Sequence, residues 1–259
     1  MDLGLKGKAV VVLASSKGLG FAAASLYAQE GANVMLAGRE EDSLAEAAAA
    51  VKGEGSVYWH VCDVTNPEDI KQLMNEAENK LGGIDVLVNN TGGPPAGDFE
   101  DMEDADWQYA FELTLFSYIR AIRAALPLLK KSRGRIVNIA SSSIKQPVDH
   151  LLLSNTFRSG IAGFSKSLAI EFAPHGILIN TVGPGRIETG RTTSLLEKTA
   201  AREGVTFEEA KQQSEASIPL GRYGLPEEFA RQVVFLGSPA NSYTTGQIIL
   251  VEGGAVSAY

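Results

Sequence analysis

The chain has 259 residues, 23 lysines and arginines against 31 aspartates and glutamates, and 44% hydrophobic residues. A net charge of −8 provides no basic footprint for a nucleic-acid backbone or an anionic lipid surface, so neither is an expected partner. One cysteine, Cys62, and three histidines, His60, His150 and His175, permit no internal disulfide and no multi-cysteine zinc site.

No run approaches the roughly 18 consecutive apolar residues of a membrane span, and residues 1–8 lack the apolar core of a signal peptide. A soluble, cytoplasmic protein is expected. In chain order, a Val-rich run at 9–14 leads into a helical pattern at 18–30, and a run at 33–37 into one at 43–51. A run at 57–62, where Cys62 reads as a small core residue, precedes a helix at 67–81. That helix is announced by Thr65-Asn66-Pro67 and the following Glu68 and Asp69. Runs at 84–88 and 135–140 lead into helical stretches at 104–131 and 153–172. The last two runs, 177–182 and 247–251, enclose a charged segment at 188–220 and a helix at 226–236.

Seven short apolar runs without polar alternation suit strands covered on both faces, and their alternation with helices predicts a doubly wound parallel sheet in a three-layer α/β/α sandwich. With no linker, charge block or repeat, residues 1–259 are expected to form a single domain. The segment 188–220 is the exception to regular alternation and reads as a lid or interface, or as a plain solvated helical pair.

The first strand runs straight into Ser15-Ser16-Lys17-Gly18-Leu19-Gly20 and a helix start. Strand, glycine turn and helix N-terminus together make an anion site, where Gly18 and Gly20 let a diphosphate approach unpaired amides. The second strand ends at Gly38-Arg39, where a cofactor with a free ribose 2′-hydroxyl would call for a carboxylate. Arg39 with Lys17 therefore favours NADP(H).

Further segments resemble the short-chain dehydrogenase/reductase family along essentially the whole chain, near its 3-oxoacyl-acyl-carrier-protein-reductase-like members. The glycine loop resembles T-G-x-x-x-G-x-G, with Leu13-Ala14 replacing the leading pair. Asp63-Val64 resembles the adenine-contacting pair, Asn89-Asn90-Thr91-Gly92 the N-N-A-G motif, and the segment 180–189 the N-x-x-x-P-G-x-x-x-T motif. The resemblance implies a Rossmann-type sheet, NADP(H) across the strand ends and a homotetramer. It also implies cofactor contacts at Ser16, Lys17, Leu19, Arg39, Asp63, Val64, Asn90, Gly92, Pro184, Gly185 and Ile187.

The catalytic motif departs from the family. Its Ser, Tyr, Lys and Asn positions fall on Ser141, Ser154, Arg158 and Thr114, so only Ser141 is retained. A serine is a far weaker acid than a phenol, and a guanidinium keeps the lysine's charge but relays no proton. Ser154 and Arg158 share a helix face, either as a pair at the cofactor or as a cap and a solvated charge. His150, and less so Lys145, is a candidate proton donor in the loop 142–153; Tyr109, Tyr118, Tyr223 and Tyr243 would have to reach the site through the fold. Residues 91–97, 145–153 and 188–220 should wall the pocket, with no role assigned to Arg186 or Arg191.

The reading is an NADP(H)-dependent oxidoreductase of a small carbonyl or alcohol, with Ser141, Ser154 and Arg158 as catalytic residues. The altered motif leaves open a non-catalytic nucleotide-binding protein, or a lyase or isomerase on the same scaffold.

Overall fold

The computed structural model describes residues 2–258; the two end residues of the expected domain lie outside them. Seven parallel strands form one sheet: β1 (Ala9–Val12), β2 (Asn33–Gly38), β3 (Val57–Val61), β4 (Val86–Asn89), β5 (Arg135–Ile139), β6 (Leu178–Pro184) and β7 (Ile248–Val251). Their order is β3-β2-β1-β4-β5-β6-β7. The period of two in a strand decides the layering. Val10 and Val12 of β1 enter one core cluster with Ala23, Tyr27, Phe229 and Val233, while Val11 and Leu13 enter the other with Leu73, Ile122 and Phe172. The first cluster belongs to α1 (Gly18–Gln29) and a C-terminal helix. The second belongs to α3 (Pro67–Leu81) and to two long helices described below. With α2 (Glu41–Ala50), this is the three-layer, doubly wound α/β domain expected from the alternating runs.

Helix ends follow local chemistry. Asn66 Oδ1 accepts from the Glu68 amide at 3.0 Å ahead of Pro67, and α3 stops where Gly82 turns left-handed at φ 79°.

The expected helix over 104–131 is divided. α4 (Asp104–Phe111) passes through a π-helical turn, Glu112–Phe116, into α5 (Ser117–Ser132). The wider turn brings residues five apart into register: the Phe111 and Phe116 rings stack with centroids 5.2 Å apart, and the Arg120 guanidinium lies 4.1 Å from the Phe116 centroid. α6 (Leu152–Phe172) lies across β6 and meets the sheet interior through polar contacts. Asn89, Asn138 and Thr181 stand in register on β4, β5 and β6. Asn89 Nδ2 donates to Asn138 Oδ1 at 2.7 Å, Asn138 Nδ2 to Ser165 Oγ of α6 at 2.8 Å, and Thr181 Oγ1 to the same hydroxyl at 3.0 Å.

The segment 188–220 carries α7 (Gly190–Glu203) and α8 (Phe207–Ala216), which share a small cluster of Leu196, Ala200, Ala210, Ile218 and Tyr223. α7 starts at Gly190 rather than near Ser194 because Thr189 Oγ1 accepts from the Thr192 amide at 3.3 Å and caps it. The chain returns to α9 (Pro226–Gly237) through a clamp in which both Arg222 Nη atoms donate to Glu228 at 2.8 Å. Hydrogen bonds from Arg222 and the Leu225 amide hold the Glu228 carboxyl down at about 2.

Asn138→Ala would orphan the Asn89 amide group and remove one partner of Ser165. A loss of roughly 2–4 kcal/mol is expected, read as a lower urea midpoint with unchanged slope. A second outcome concerns Tyr27, fully buried between α1 and α9, whose hydroxyl donates to the Val233 carbonyl at 3.2 Å. Burial raises its phenol far above the ordinary value. The folded state then keeps a proton that the unfolded chain releases above about pH 10, so this contribution is whole below that pH and lost as pH rises. Tyr27→Phe should make the decline of stability above pH 10 shallower in denaturant titrations at stepped pH.

Candidate active site

β1, β4, β5 and β6 lie side by side and parallel, so the segments after them gather along one edge of the sheet. β1 pairs with β2 on one side and β4 on the other, which places the reversal of strand order there. A cleft opens at such a point.

The turn from β1 to α1 forms its first wall. Ala14 is left-handed at φ 46°, and its carbonyl accepts from Asn90 Nδ2 at 3.0 Å, bracing the turn against β4. A Cβ on Gly20 would stand 2.5 Å from that carbonyl oxygen and 2.8 Å from Asn90 Nδ2, so glycine is required for the helix to start here. Gly18 is also left-handed, at φ 61°, and Leu19 follows half-buried. Lys17 at the N-cap makes no capping hydrogen bond and no acidic residue stands in the first turn of α1. The amides at that end therefore present an unshielded positive dipole to the cleft.

At the corner beside β2, Lys17 and Arg39 are both exposed and form no ion pair among the described residues. Ser16 Oγ lies 3.6 Å from where a Cβ on Gly38 would stand, which places it with Arg39 at this corner. After β3, Asp63 Oδ1 accepts from the Thr65 amide and hydroxyl at 2.9 and 2.7 Å, leaving its other oxygen open beside buried Val64. Past β6, the Gly185 amide donates to Val251 at 2.9 Å after Pro184. The Ile187 side chain packs into the core, leaving its main chain for any contact.

The far wall contains the altered catalytic positions. Ser141 follows β5 and its Oγ accepts from the Ser143 amide at 3.1 Å, so its own proton remains available to a ligand. Ser154 and Arg158 are each only 7% exposed, one turn apart on α6. Arg158 is therefore not a solvated charge. Its Nη1 donates to the carbonyls of Ile139 at 3.2 Å and Ala140 at 3.0 Å, and its Nη2 reaches the Gly92 carbonyl at 3.4 Å. This draws α6, the end of β5 and the segment after β4 around one guanidinium. Ser154 Oγ has no hydrogen-bond partner among the described residues. Thr114 lies in the π-helical turn, fully buried, with its hydroxyl unpaired among the described residues.

Of the four tyrosines that would have to reach the site through the fold, Tyr118 does so. Tyr118, fully buried on α5, donates to the Ile139 carbonyl at 2.7 Å, the same acceptor that Arg158 uses. Burial raises its phenol, while the Arg158 charge and hydrogen bonds from Thr91 and Arg158 oppose the rise. The contact joins residues 21 apart and no local pattern announces it.

His150 is left-handed at φ 58° and its Nδ1 stands 2.7 Å from Asp98 Oδ2, both side chains being well exposed. With the Gly97 amide donating to the His150 carbonyl at 2.8 Å, it latches the segment after β4 to the loop before α6. Cys62 is buried and its thiol is pushed up to about 12, chiefly by burial and then by Asp69 and Asp63. Among the described residues, no helix is long and apolar enough to cross a membrane and no group of His, Cys, Asp or Glu is placed to hold a metal.

Residues 13–256 match the profile of the family described as enoyl-(acyl carrier protein) reductase. The 3-oxoacyl-[acyl-carrier-protein] reductase of Aquifex aeolicus is 36% identical over 258 residues, 98% of this chain and 99% of that protein. Among solved structures, L-sorbose reductase from Gluconobacter frateurii, complexed with NADPH and L-sorbose, is similar with a TM-score of 0.95 and 31% identity over all of both chains. An NADPH-bound short-chain oxidoreductase from Pseudomonas aeruginosa PAO1, described as containing an atypical catalytic center, is similar with a TM-score of 0.88 and 32% identity over 98% of this chain and 99% of that one. Extending over nearly the whole sequence and the whole fold, these likenesses place the chain in the short-chain dehydrogenase/reductase family of oxidoreductases.

Proposed function

We propose that this chain is an NADP(H)-dependent oxidoreductase that interconverts a small carbonyl compound and its alcohol. The observation that carries the reading is the pairing of two features across one cleft: an uncapped helix start behind Gly18 and Gly20, and a buried guanidinium beside Ser141 and Ser154. The first fits a dinucleotide diphosphate, and the exposed cations Lys17 and Arg39 fit the 2′-phosphate of NADP(H). The NADPH complexes of the two similar reductases agree with this choice.

In this reading Ser16, Lys17, Gly18, Leu19, Gly20 and Arg39 hold the phosphates, and Asp63 and Val64 the adenine. Asn90, Gly92, Arg158, Pro184, Gly185 and Ile187 hold the nicotinamide half. Bound there, NADP(H) supplies or accepts one hydride, so that carbonyl, hydride and one proton balance one alcohol. Ser141 Oγ donates a hydrogen bond to the substrate oxygen. The Arg158 charge, tethered by three carbonyls, stabilises that oxygen as it becomes negative. Ser154 Oγ, free of partners among the described residues, holds a water that gives the alkoxide its proton, the hydroxide left behind passing to solvent. Residues 188–220 act as the lid of a single domain, and the assembly implied by the family is a cytoplasmic homotetramer.

Hydrogen bonds to charged groups are worth about 1.5–3 kcal/mol, roughly 10–100-fold in affinity. Arg39→Ala should weaken NADPH by that factor in a fluorescence titration and leave NADH binding nearly unchanged; equal losses for both cofactors would contradict the assignment. Ser141→Ala should lower turnover by roughly 10²–10³-fold while the NADPH affinity stays within twofold. Tight NADPH binding without oxidation by any carbonyl would instead make the chain a nucleotide-binding protein.

A further inference from the structure

The cleft contains a second cation that the cofactor reading leaves unused. Arg191, in the first turn of α7, reaches across from the lid, and its Nη2 donates to the Pro94 carbonyl at 3.1 Å. Its guanidinium lies against Gly93, where an added Cβ would stand 2.7 Å from Nη2. Arg158 donates to Gly92, two residues earlier on the same strip. Two guanidinium groups thus hold the segment 92–94, one from α6 and one from the lid.

Arg158 is buried and Arg191 exposed, and both guanidinium groups face the segment 92–94. Partial burial, and after it the Arg158 charge, lower the Arg191 guanidinium from its ordinary value. Among the described residues, no carboxylate lies within the 4.0 Å of an ion pair with either arginine. Main-chain carbonyls take three donors of Arg158 and one of Arg191, so most of the five donors on Arg191 remain open. A cation pair with spare planar donors and no counter-ion has the chemistry of an oxyanion site.

The start of α7 also borders the diphosphate turn, since Thr189 Cγ2 lies 3.8 Å from where a Cβ on Gly18 would stand, but the Arg191 guanidinium itself is directed to the segment 92–94. The segment 92–94 lies beyond Asn90 and is tied by Arg158 to Ala140, the neighbour of Ser141.

We propose that Arg191, assisted by Arg158, binds the carboxylate of the substrate, so that the reacting molecule is a short oxo acid or the corresponding hydroxy acid. This rests on the oxidoreductase reading of the cleft. The lid then has a direct part in recognition, since Arg191 carries the charge that meets the substrate and, through Pro94, closes the segment 188–220 onto the segment after β4.

The test uses the full chain loaded with NADP⁺, which cannot reduce a carbonyl, so that calorimetry reads binding without turnover. The probes are acetoacetate and pyruvate against the neutral acetoacetamide and pyruvamide. At least one acid should bind ten-fold or more tighter than its amide. Arg191→Gln should abolish that preference with NADP⁺ affinity within twofold, and Arg191→Lys should restore most of it. Acid and amide binding alike, or no heat from either acid, overturns the proposal. So does an Arg191→Gln protein that loses NADP⁺ rather than the acid, which would assign the arginine to the cofactor diphosphate. A wild-type protein that fails to bind NADP⁺ in the first titration overturns the oxidoreductase reading itself, and this proposal with it.

Discussion

A guanidinium taken out of water needs acceptors on several sides, and Arg158 finds them in the carbonyls of Ile139, Ala140 and Gly92. That requirement sets the shape of the site. It holds α6 against the end of β5 and draws in the segment after β4, so Ser141, Ser154 and Gly92 take positions around one fixed charge. Tyr118 adds an anchor from α5 by using the same Ile139 carbonyl. The candidate site thus centres on a buried positive charge with Ser141 and Ser154 close to it in the fold.

The sheet beneath the site is polar where neighbouring parallel strands are usually apolar. Asn89, Asn138 and Thr181 run across β4, β5 and β6 and engage Ser165 on α6. Apolar packing alone would let α6 slide on the sheet; a ladder of directed hydrogen bonds fixes its register and hence the depth at which Arg158 enters. The opposite wall relies on a different device. There Gly20 permits a backbone approach that Asn90 braces through Ala14, and the left-handed conformation of Ala14 is held by that bond.

The segment 188–220 is tied at both ends: the Arg222–Glu228 clamp follows it, its two helices share a small apolar cluster, and Arg191 in the first turn of α7 donates to the Pro94 carbonyl. The clamp depends on a carboxylate held at about 2, so it survives well into acid and is lost as pH falls toward that value.

Local chemistry in the sequence determined the seven strands, the helix punctuation at Asn66-Pro67 and Gly82, the glycine turn, and the order of the layers. Each rests on contacts within a few residues or on a period of 2 or 3.6. The π-helical turn inside 104–131 was not legible, because the stacking of Phe111 on Phe116 becomes visible only once the helix has widened. The candidate site was half legible: motif spacing singled out Ser141, Ser154 and Arg158, but whether Arg158 is a solvated charge or a buried one is decided by carbonyls contributed from β5 and from the segment after β4. Tyr118 and Arg191 lie furthest from the reach of the sequence. Their acceptors, 21 and 97 residues away, are brought to them only by the assembly of the sheet and the packing of the segment 188–220 against the segment after β4.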